Sequence, residues 1–391
     1  MMPLELLIIT PYPIHYQMPV FERLAETREI HVLFLRQARG ASGYDWEFGK
    51  KVDFGIRKIG FGNSLALPTT RDEKSESQLS AEQLRRALAV IRAIVRLRPK
   101  AVYVHGFAGL PEVAALLTCR LTGIPTLLRS VSYDLGERSR LRSGLRKVLY
   151  PPILSLATRI GYIGWHNRAF FLNHGVKPHR LRYVPHGVDN ASFDTDPEPD
   201  EELDMVARRK FTFVFVGKLI DKKAPDLLLR AFRAMPDRDT AMLAIVGSGA
   251  MKGDLQRYAE QEDLDVDFFD FLAQRQLAAL LGRCDCLVLP SRYQETWGLV
   301  VNEALASGLP VIVSDRVGCA PDLVMGKTGY VFASDSVESL VQAMDSMRRQ
   351  GPKSDYRDRT KMVVDSYSAS AIAEALSSVV GELLVMEGSM A

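Results

Sequence analysis

Short apolar runs alternate with stretches of helical periodicity along most of this chain. In the first half, Leu6–Thr10, Ala101–Val104 and Thr126–Leu128 have the length and composition of buried strands. Between the first two, Ser80-Ala-Glu-Gln83 has the pattern of a helix-opening capping box. Leu84, Leu88, Ile91 and Val95 then recur at helical spacing and predict one buried face, until Pro99 stops the helix. Pro111–Thr122 predicts a second helix, with proline in its first turn and Gly123 just past its end. The second half predicts strands at Phe211–Val216, Met242–Val246, Val266–Phe269, Cys286–Leu289 and Val311–Val313, with helices between them. Leu299–Ser307 and Ala371–Leu384 are among those helical segments. Strand–helix alternation in both halves implies an α/β chain with two parallel sheets, each covered on both faces.

The boundary between the halves shows in composition. Asp189–Asp204 holds eight acidic residues, no basic ones, and two prolines. Such a segment reads as a solvated linker. The organisation expected is an N-terminal domain over 1–190, a linker over 191–210, a C-terminal domain over 211–365 and a closing segment over 366–391. A length of 391 residues accommodates two domains. A net charge of +3 is too small to point to nucleic acid. No apolar run approaches the ~20 residues that span a bilayer. Leu4–Thr10 reads as a first strand, without the basic start and small-residue cleavage site of a signal peptide. A cytoplasmic location is expected. The cysteines (119, 284, 286 and 319) form no CxxC pair, and structural thiols are expected.

Candidate chemistry concentrates in the second half. Glu295 and Glu303 lie eight positions apart. The predicted strand Cys286–Leu289 precedes them, so Glu295 falls in a strand-to-helix loop and Glu303 in the early turns of a helix. A helix N-terminus offers unpaired N–H groups and partial positive charge, a seat for phosphate. Carboxylates on either side suit a sugar nucleotide, one accepting hydrogen bonds from the sugar and the other from the ribose. Upstream, Phe211–Val216 leads into Gly217-Lys218-Leu-Ile-Asp-Lys-Lys223. Two cations on a glycine-led turn suit a diphosphate and stabilise it as it leaves. Gly247 and Gly249 form a tight turn after another strand, where a ligand can approach the backbone. Asp-x-Asp pairs begin at Asp194, Asp237 and Asp265, but none ends an apolar strand. No metal or other cofactor is expected, since Lys218, Lys223 and a helix N-terminus supply the positive charge.

Glu295-x7-Glu303, with Trp297-Gly298-Leu299 between and Ala304-x-Ala306-x-Gly308-x-Pro310 after, resembles the donor-site signature of retaining GT-B glycosyltransferases of family 4. Phe is usual in the family where Trp297 stands. The family's Gly-Arg-Leu-x-x-x-Lys-Gly is matched with Lys218 for its Arg, Lys223 for its Lys and Ala224 for its last Gly. Gly164–Arg168 and Val184–Asn190 also resemble the family. The likeness is dense over 162–190 and 211–331 and sparse before residue 150. It implies the GT-B fold, two Rossmann-like doubly wound domains facing a cleft, with the closing helix crossing back to the first. It also implies retaining transfer of a sugar from a nucleoside diphosphate sugar, UDP-linked by preference, to an acceptor hydroxyl. The expected donor contacts are Gly217, Lys218, Lys223, Gly247, Gly249, Thr296, Trp297, Gly298, Leu299 and Glu303. Glu295 and Lys223 are the expected catalytic pair, with the Trp297 ring keeping an aromatic beside the sugar.

The resemblance puts the acceptor in the first domain. The loop Thr10–Phe21, usually glycine-rich in the family, has no glycine, and His15 or Tyr16 is expected to meet the acceptor. A histidine that many members carry after the Ile-Pro strand is missing from Ile124–Ser132. His105, ending the preceding strand, is the nearest candidate base, and Arg129 is a further acceptor contact. Arg129–Lys147 holds six basic and two acidic residues, interleaved with Leu141, Leu145, Val148 and Leu149. A basic amphipathic helix of this kind can lie on an anionic membrane and suits a lipid-linked acceptor, while a solvated helix face is the plainer reading. Nucleic acid is not expected, because aromatic platforms are sparse. The sequence equally allows saccharide or small-molecule acceptors, in cell-envelope polysaccharide or natural-product glycoside assembly. Two rival readings stand beside this one. One is a non-catalytic GT-B subunit that binds a nucleotide sugar and regulates a partner. The other is a nicotinamide enzyme, drawn from the near-miss glycine run 247–253 with Asp267 or Asp270 beyond it, although the two glutamates have no role there.

Overall fold

The computed structural model describes residues 4–12, 14, 16–35, 81–134, 140–194, 210–293, 295–350 and 354–388. The chain divides into two compact units. Unit 1 takes the chain up to His186 and again from Ala369, and unit 2 takes Gly187–Ser368. Ser80 of the expected capping box and residues 195–209 of the expected linker lie outside the described residues.

Unit 1 is built from β1 (Leu6–Thr10), α1 (Met18–Ala25), β2 (Ile30–Phe34), α2 (Ala81–Leu97), β3 (Ala101–His105), α3 (Leu110–Thr122), β4 (Thr126–Arg129), α4 (Arg140–Leu156), β5 (Arg159–Tyr162), α5 (Trp165–Asn173) and β6 (Leu181–Tyr183). Among the described residues its sheet is six-stranded and parallel, in the order β2-β1-β3-β4-β5-β6. Successive residues of β1 point to opposite faces. Leu7 and Ile9 pack with Val90 and Ile94 of α2 and Leu116 of α3. Leu6 and Ile8 pack with Phe21 of α1 and with Leu376 and Val380 of the chain's last helix. Both faces are covered, which is why β1 reads as a continuous apolar run.

Unit 2 is built from β7 (Phe211–Val216), α6 (Pro225–Ala234), β8 (Ala241–Val246), α7 (Lys252–Gln261), β9 (Val266–Phe269), α8 (Gln274–Arg283), β10 (Cys286–Leu289), α9 (Leu299–Ala306), β11 (Val311–Ser314), β12 (Gly329–Phe332), α10 (Val337–Arg349) and α11 (Ser354–Asp365). Its sheet, again six-stranded and parallel among the described residues, runs β12-β11-β10-β7-β8-β9. That is the doubly wound order. The strand order reverses between β7 and β10, and ligands of such sheets gather beyond the strand ends at that reversal.

The last helix, α12 (Ala369–Gly388), packs in unit 1 against α1. By length and composition Ala369–Glu387 is long enough and apolar enough to cross a membrane, contrary to the expectation from the sequence. Glu374 and Glu382 interrupt the run and hid it. Ile372, Leu376, Val379, Val380 and Leu383 are buried in the unit 1 core, the packing of a core helix. The buried face of α2 also differs from expectation. Ala87, Val90 and Ile94 are buried, while Leu84, Leu88 and Val95 are exposed. The apolar arc of this helix is wide, and the neighbouring edge of it meets the sheet.

Candidate active site

The two loops that flank the strand reversal of unit 2 carry the expected donor residues. After β7 the chain turns through Gly217–Ile220 into a 3-10 turn, Asp221–Lys223. After β10 it passes through Ser291 to Glu295 and enters α9 at Gly298. The loops meet in an ion pair between Lys223 Nζ and Glu295 Oε2. Ser291 Oγ donates to the same oxygen at 3.2 Å. Glu295 is buried, at 8% exposure, so its charge depends on these partners. Partial burial holds the Lys222 ammonium below the usual lysine range. Glu295 pulls it back up, and Lys223 and Lys218 push it further down. Lys222 is thus within electrostatic reach of Glu295, Lys223 and Lys218, and only Lys223 is ion-paired with the carboxylate among the described residues. Lys218 itself is exposed.

Backbone geometry explains several residue choices here. Gly247 has φ +138°, and a Cβ there would lie 2.0 Å from the Gly217 carbonyl oxygen; one at Gly249 would lie 2.3 Å from that of Leu219. The turns after β7 and β8 can therefore lie edge to edge, joined by Leu219 N–H donating to the Ser248 carbonyl at 2.9 Å. Gly298 caps α9 at φ +93°, where a Cβ would meet Val317 Cγ1 at 2.9 Å. Ala224 stands at φ +52° in the left-handed region, which explains the glycine usual there. Its strain of roughly 1–2 kcal/mol is opposed by full burial of its methyl group.

The side chains that hold the two loops together were not legible in the sequence. Arg292 Nε donates to Asp335 at 2.8 Å, Nη1 to Asp221 and Asp226 at 2.9 Å each, and Nη2 to Asp226 at 2.5 Å. Its backbone N–H donates to the Lys222 carbonyl at 2.9 Å. One guanidinium therefore ties the lysine turn, the start of α6 and the β12–α10 loop to the loop bearing Glu295. A second clamp comes from the end of β11 and the segment after it. Ser314 Oγ donates to the Ser291 carbonyl at 2.5 Å. Gly318 and Cys319 N–H groups donate to the Glu295 and Trp297 carbonyls at 2.9 and 3.0 Å. Only Ser-x3-Gly-Cys spacing signals this clamp, and that pattern is too common to stand out.

Trp297 corrects the expectation of an aromatic ring beside the sugar. Its side chain is buried, donates from Nε1 to Asn302 Oδ1 at 2.8 Å and packs 6.1 Å from the Tyr367 ring. What it can offer a ligand is backbone. Thr296 is exposed, and Leu299 and Glu303 are half-buried on the first turns of α9.

In unit 1, His15 lies outside the described residues. Tyr16 is half-buried as a residue and packs edge-on against His186 at 4.9 Å. Burial pushes its hydroxyl well above the usual tyrosine range. Two calls change here. His105 Nδ1 lies within hydrogen-bond distance of Gln17 Nε2 at 3.3 Å and of Tyr103 Oη at 3.0 Å. In either ring tautomer Nδ1 is engaged by these two neighbours inside the fold, and the ring is buried, so His105 is not placed as a base. Burial, and then the Arg129 charge, lower its pKa to about 3. Arg129 is equally committed. It is buried, and it donates to the Val184 and Pro185 carbonyls at 2.8 Å each, with His186 Nδ1 at 3.3 Å. It fastens the chain's exit from β6 through Nε and Nη2, and its burial takes it away from the surface an acceptor would meet.

With this geometry in view, the likeness to known proteins is specific. Residues 205–362 match the family model of glycosyl transferases group 1. The chain is 30% identical over 213 residues to the sulfoquinovosyl transferase of Arabidopsis thaliana, covering 49% of this chain and 40% of that protein. It is 34% identical over 182 residues to a GDP-mannose-dependent α-(1-6)-phosphatidylinositol monomannoside mannosyltransferase of Mycolicibacterium smegmatis, covering 43% and 47%. The chain spans about half the length of the curated relatives it matches. The crystal structure of Anabaena HepE in complex with UDP and glucose superposes with a TM-score of 0.69 over 97% of this chain, at 14% identity. The fold is that of the GT-B glycosyltransferases. The part of unit 2 within residues 205–362 is similar in sequence to the glycosyl transferases group 1.

Proposed function

We propose that the chain is a retaining glycosyltransferase that moves a sugar from a nucleoside diphosphate sugar to an acceptor hydroxyl. The observation that carries this reading is the Lys223–Glu295 pair, ringed by Lys218 and Lys222 at the strand reversal of unit 2. Lys218 and Lys223 hold the diphosphate, and the N–H groups of Trp297–Leu299 cap it at the start of α9. Glu295 receives the sugar hydroxyls and keeps Lys223 in place, and Glu303 receives the ribose. In the transfer the anomeric carbon–phosphate oxygen bond breaks and its electrons go to the leaving diphosphate. The acceptor oxygen bonds to the same face of the anomeric carbon, and its proton passes to the leaving phosphate. This route needs no protein base, in keeping with the committed Nδ1 of His105. The lysines neutralise the leaving group, so the reaction requires no metal.

UDP is the preferred nucleotide. HepE was crystallised with UDP and glucose, and the mannosyltransferase relative is named for GDP-mannose, so both nucleotides belong in the test. Incubation with UDP-glucose and GDP-mannose, in EDTA and followed by proton NMR, should show slow release of free sugar, first as the α-anomer. Glu295→Ala should abolish that release while nucleotide still binds. First appearance of the β-anomer would contradict retention. Binding without any turnover would favour the regulatory subunit.

The acceptor is proposed to be lipid-linked. On α4, Leu145, Val148 and Leu149 are 59%, 70% and 49% exposed, a stripe at helical spacing flanked by Arg146 and Lys147. The mannosyltransferase relative is named for phosphatidylinositol monomannoside, a lipid. The protein should cosediment with vesicles containing phosphatidylglycerol, and Leu145→Ser with Val148→Ser should release it. Equal sedimentation of wild type and variant would remove this helix from the proposal.

A further inference from the structure

We propose that the buried Trp297–Asn302 pair is a positioning device that sets the order of the loop Glu295–Gly298; its link to sugar transfer rests on the donor-site reading above. Asn302 is 0% exposed, among Val301, Ala304 and Leu305 on the buried face of α9. An apolar side chain is the ordinary occupant of such a position. Its Oδ1 accepts from the Trp297 indole at 2.8 Å, while its Nδ2 has no hydrogen-bond partner among the described residues. An orphaned buried donor has lost its water and gained no partner in return, which destabilises the fold. A chain that retains this cost breaks a local rule, and such breaks cluster at functional positions.

The geometry shows what the contact does. Trp297 lies between Glu295, which holds Lys223, and Gly298, whose left-handed backbone opens α9. The indole reaches from the loop to the second turn of that helix and is packed by Tyr367. Fixing the ring therefore fixes the backbone on both sides, including the N–H groups proposed to cap the phosphate. Removal of Trp297 leaves both ends of the buried Asn302 amide without a described partner, removal of Asn302 takes the Oδ1 acceptor from the indole, and in either case the loop gains alternatives. Replacement of both by apolar residues of similar shape removes the conflict.

The test uses Trp297→Phe, Asn302→Leu and the double variant in the full chain. Hydrogen–deuterium exchange of residues 295–299 reads loop order without any ligand. Each single variant should exchange about tenfold faster there, the effect of roughly 1.4 kcal/mol, and the double variant should return close to wild type. The affinity for UDP or GDP, whichever wild type binds, should follow the same pattern, because it scales with the competent fraction. Unchanged exchange in both single variants, despite a lower Tm, would make the pair ordinary core packing and overturn the proposal. Additive loss in the double variant would also overturn it. If wild type bound neither nucleotide, the donor-site reading would fail, while the exchange pattern would still decide whether the pair orders the loop.

Discussion

At Lys223 and Glu295 the residue types alone pointed to the chemistry, because a cation and a carboxylate each sat just past a buried strand. The structure adds that they meet each other. Their supports were invisible for a physical reason. Arg292, Ser314 and Asn302 act through contacts made 5 to 71 positions away in sequence, and no local pattern marks a side chain for such a partner. His105 misled in the opposite way. A histidine before a glycine at a strand end suits a cleft, yet the ring is buried with its Nδ1 occupied. Because His105 stays neutral down to about pH 3, no limb of the pH–rate profile in the usual histidine range belongs to it. His105→Gln should leave the shape of that profile between about pH 6 and 8 unchanged. A wild-type limb near pH 6.5 that disappears in the variant would restore the base.

Among elements, the long apolar strands were legible and the short polar ones were not. Leu6–Thr10 and Phe211–Val216 are continuous apolar runs, whereas Arg159–Tyr162 and Leu181–Tyr183 carry arginines and occupy one side of their sheet. The docking of α12 shows why those arginines are there. Glu382 receives Arg159 Nε at 2.8 Å and Arg182 Nε at 2.7 Å, and Arg28 Nε donates to Ser377 Oγ at 2.8 Å. The Arg182 hydrogen bond first, then Arg159, hold the Glu382 carboxyl at about 2, against the opposing effect of partial burial. A carboxyl depressed in the folded state adds stability at pH values above its ordinary 4.5 and loses it as pH falls toward 2. The Tm difference between wild type and Glu382→Gln should therefore be constant above about pH 5 and shrink below it. A difference that persists unchanged to pH 3 would show that Glu382 acts through packing and not through its charge.

On the scale of the whole chain, the alternation of strands and helices exposed two doubly wound sheets, while the point of passage between units lay elsewhere in the signal. Composition marked the acidic stretch after Asp189, but the contacts divide the chain at His186 and again at Ser368. Within unit 2 the two passages are neighbours: Val188 pairs in parallel with Ser368 and donates to the Tyr367 carbonyl at 3.2 Å. Such a bridge joins residues 180 positions apart and leaves no mark in composition. Both sheets gather their polar residues beyond the strand ends where the order reverses, β1 against β3 in one and β7 against β10 in the other. Among the described residues, the second gathers Lys218, Lys222 and Lys223 there, with Lys223 paired to Glu295. The central claim, a phosphate seat built on Lys223, is tested most directly by calorimetric titration of the full chain with UDP and GDP in EDTA. One nucleotide should bind, and Lys223→Ala should weaken it at least ~tenfold, the loss of a charge-assisted hydrogen bond. Equal affinity in wild type and variant, or binding of neither nucleotide by wild type, would contradict the account.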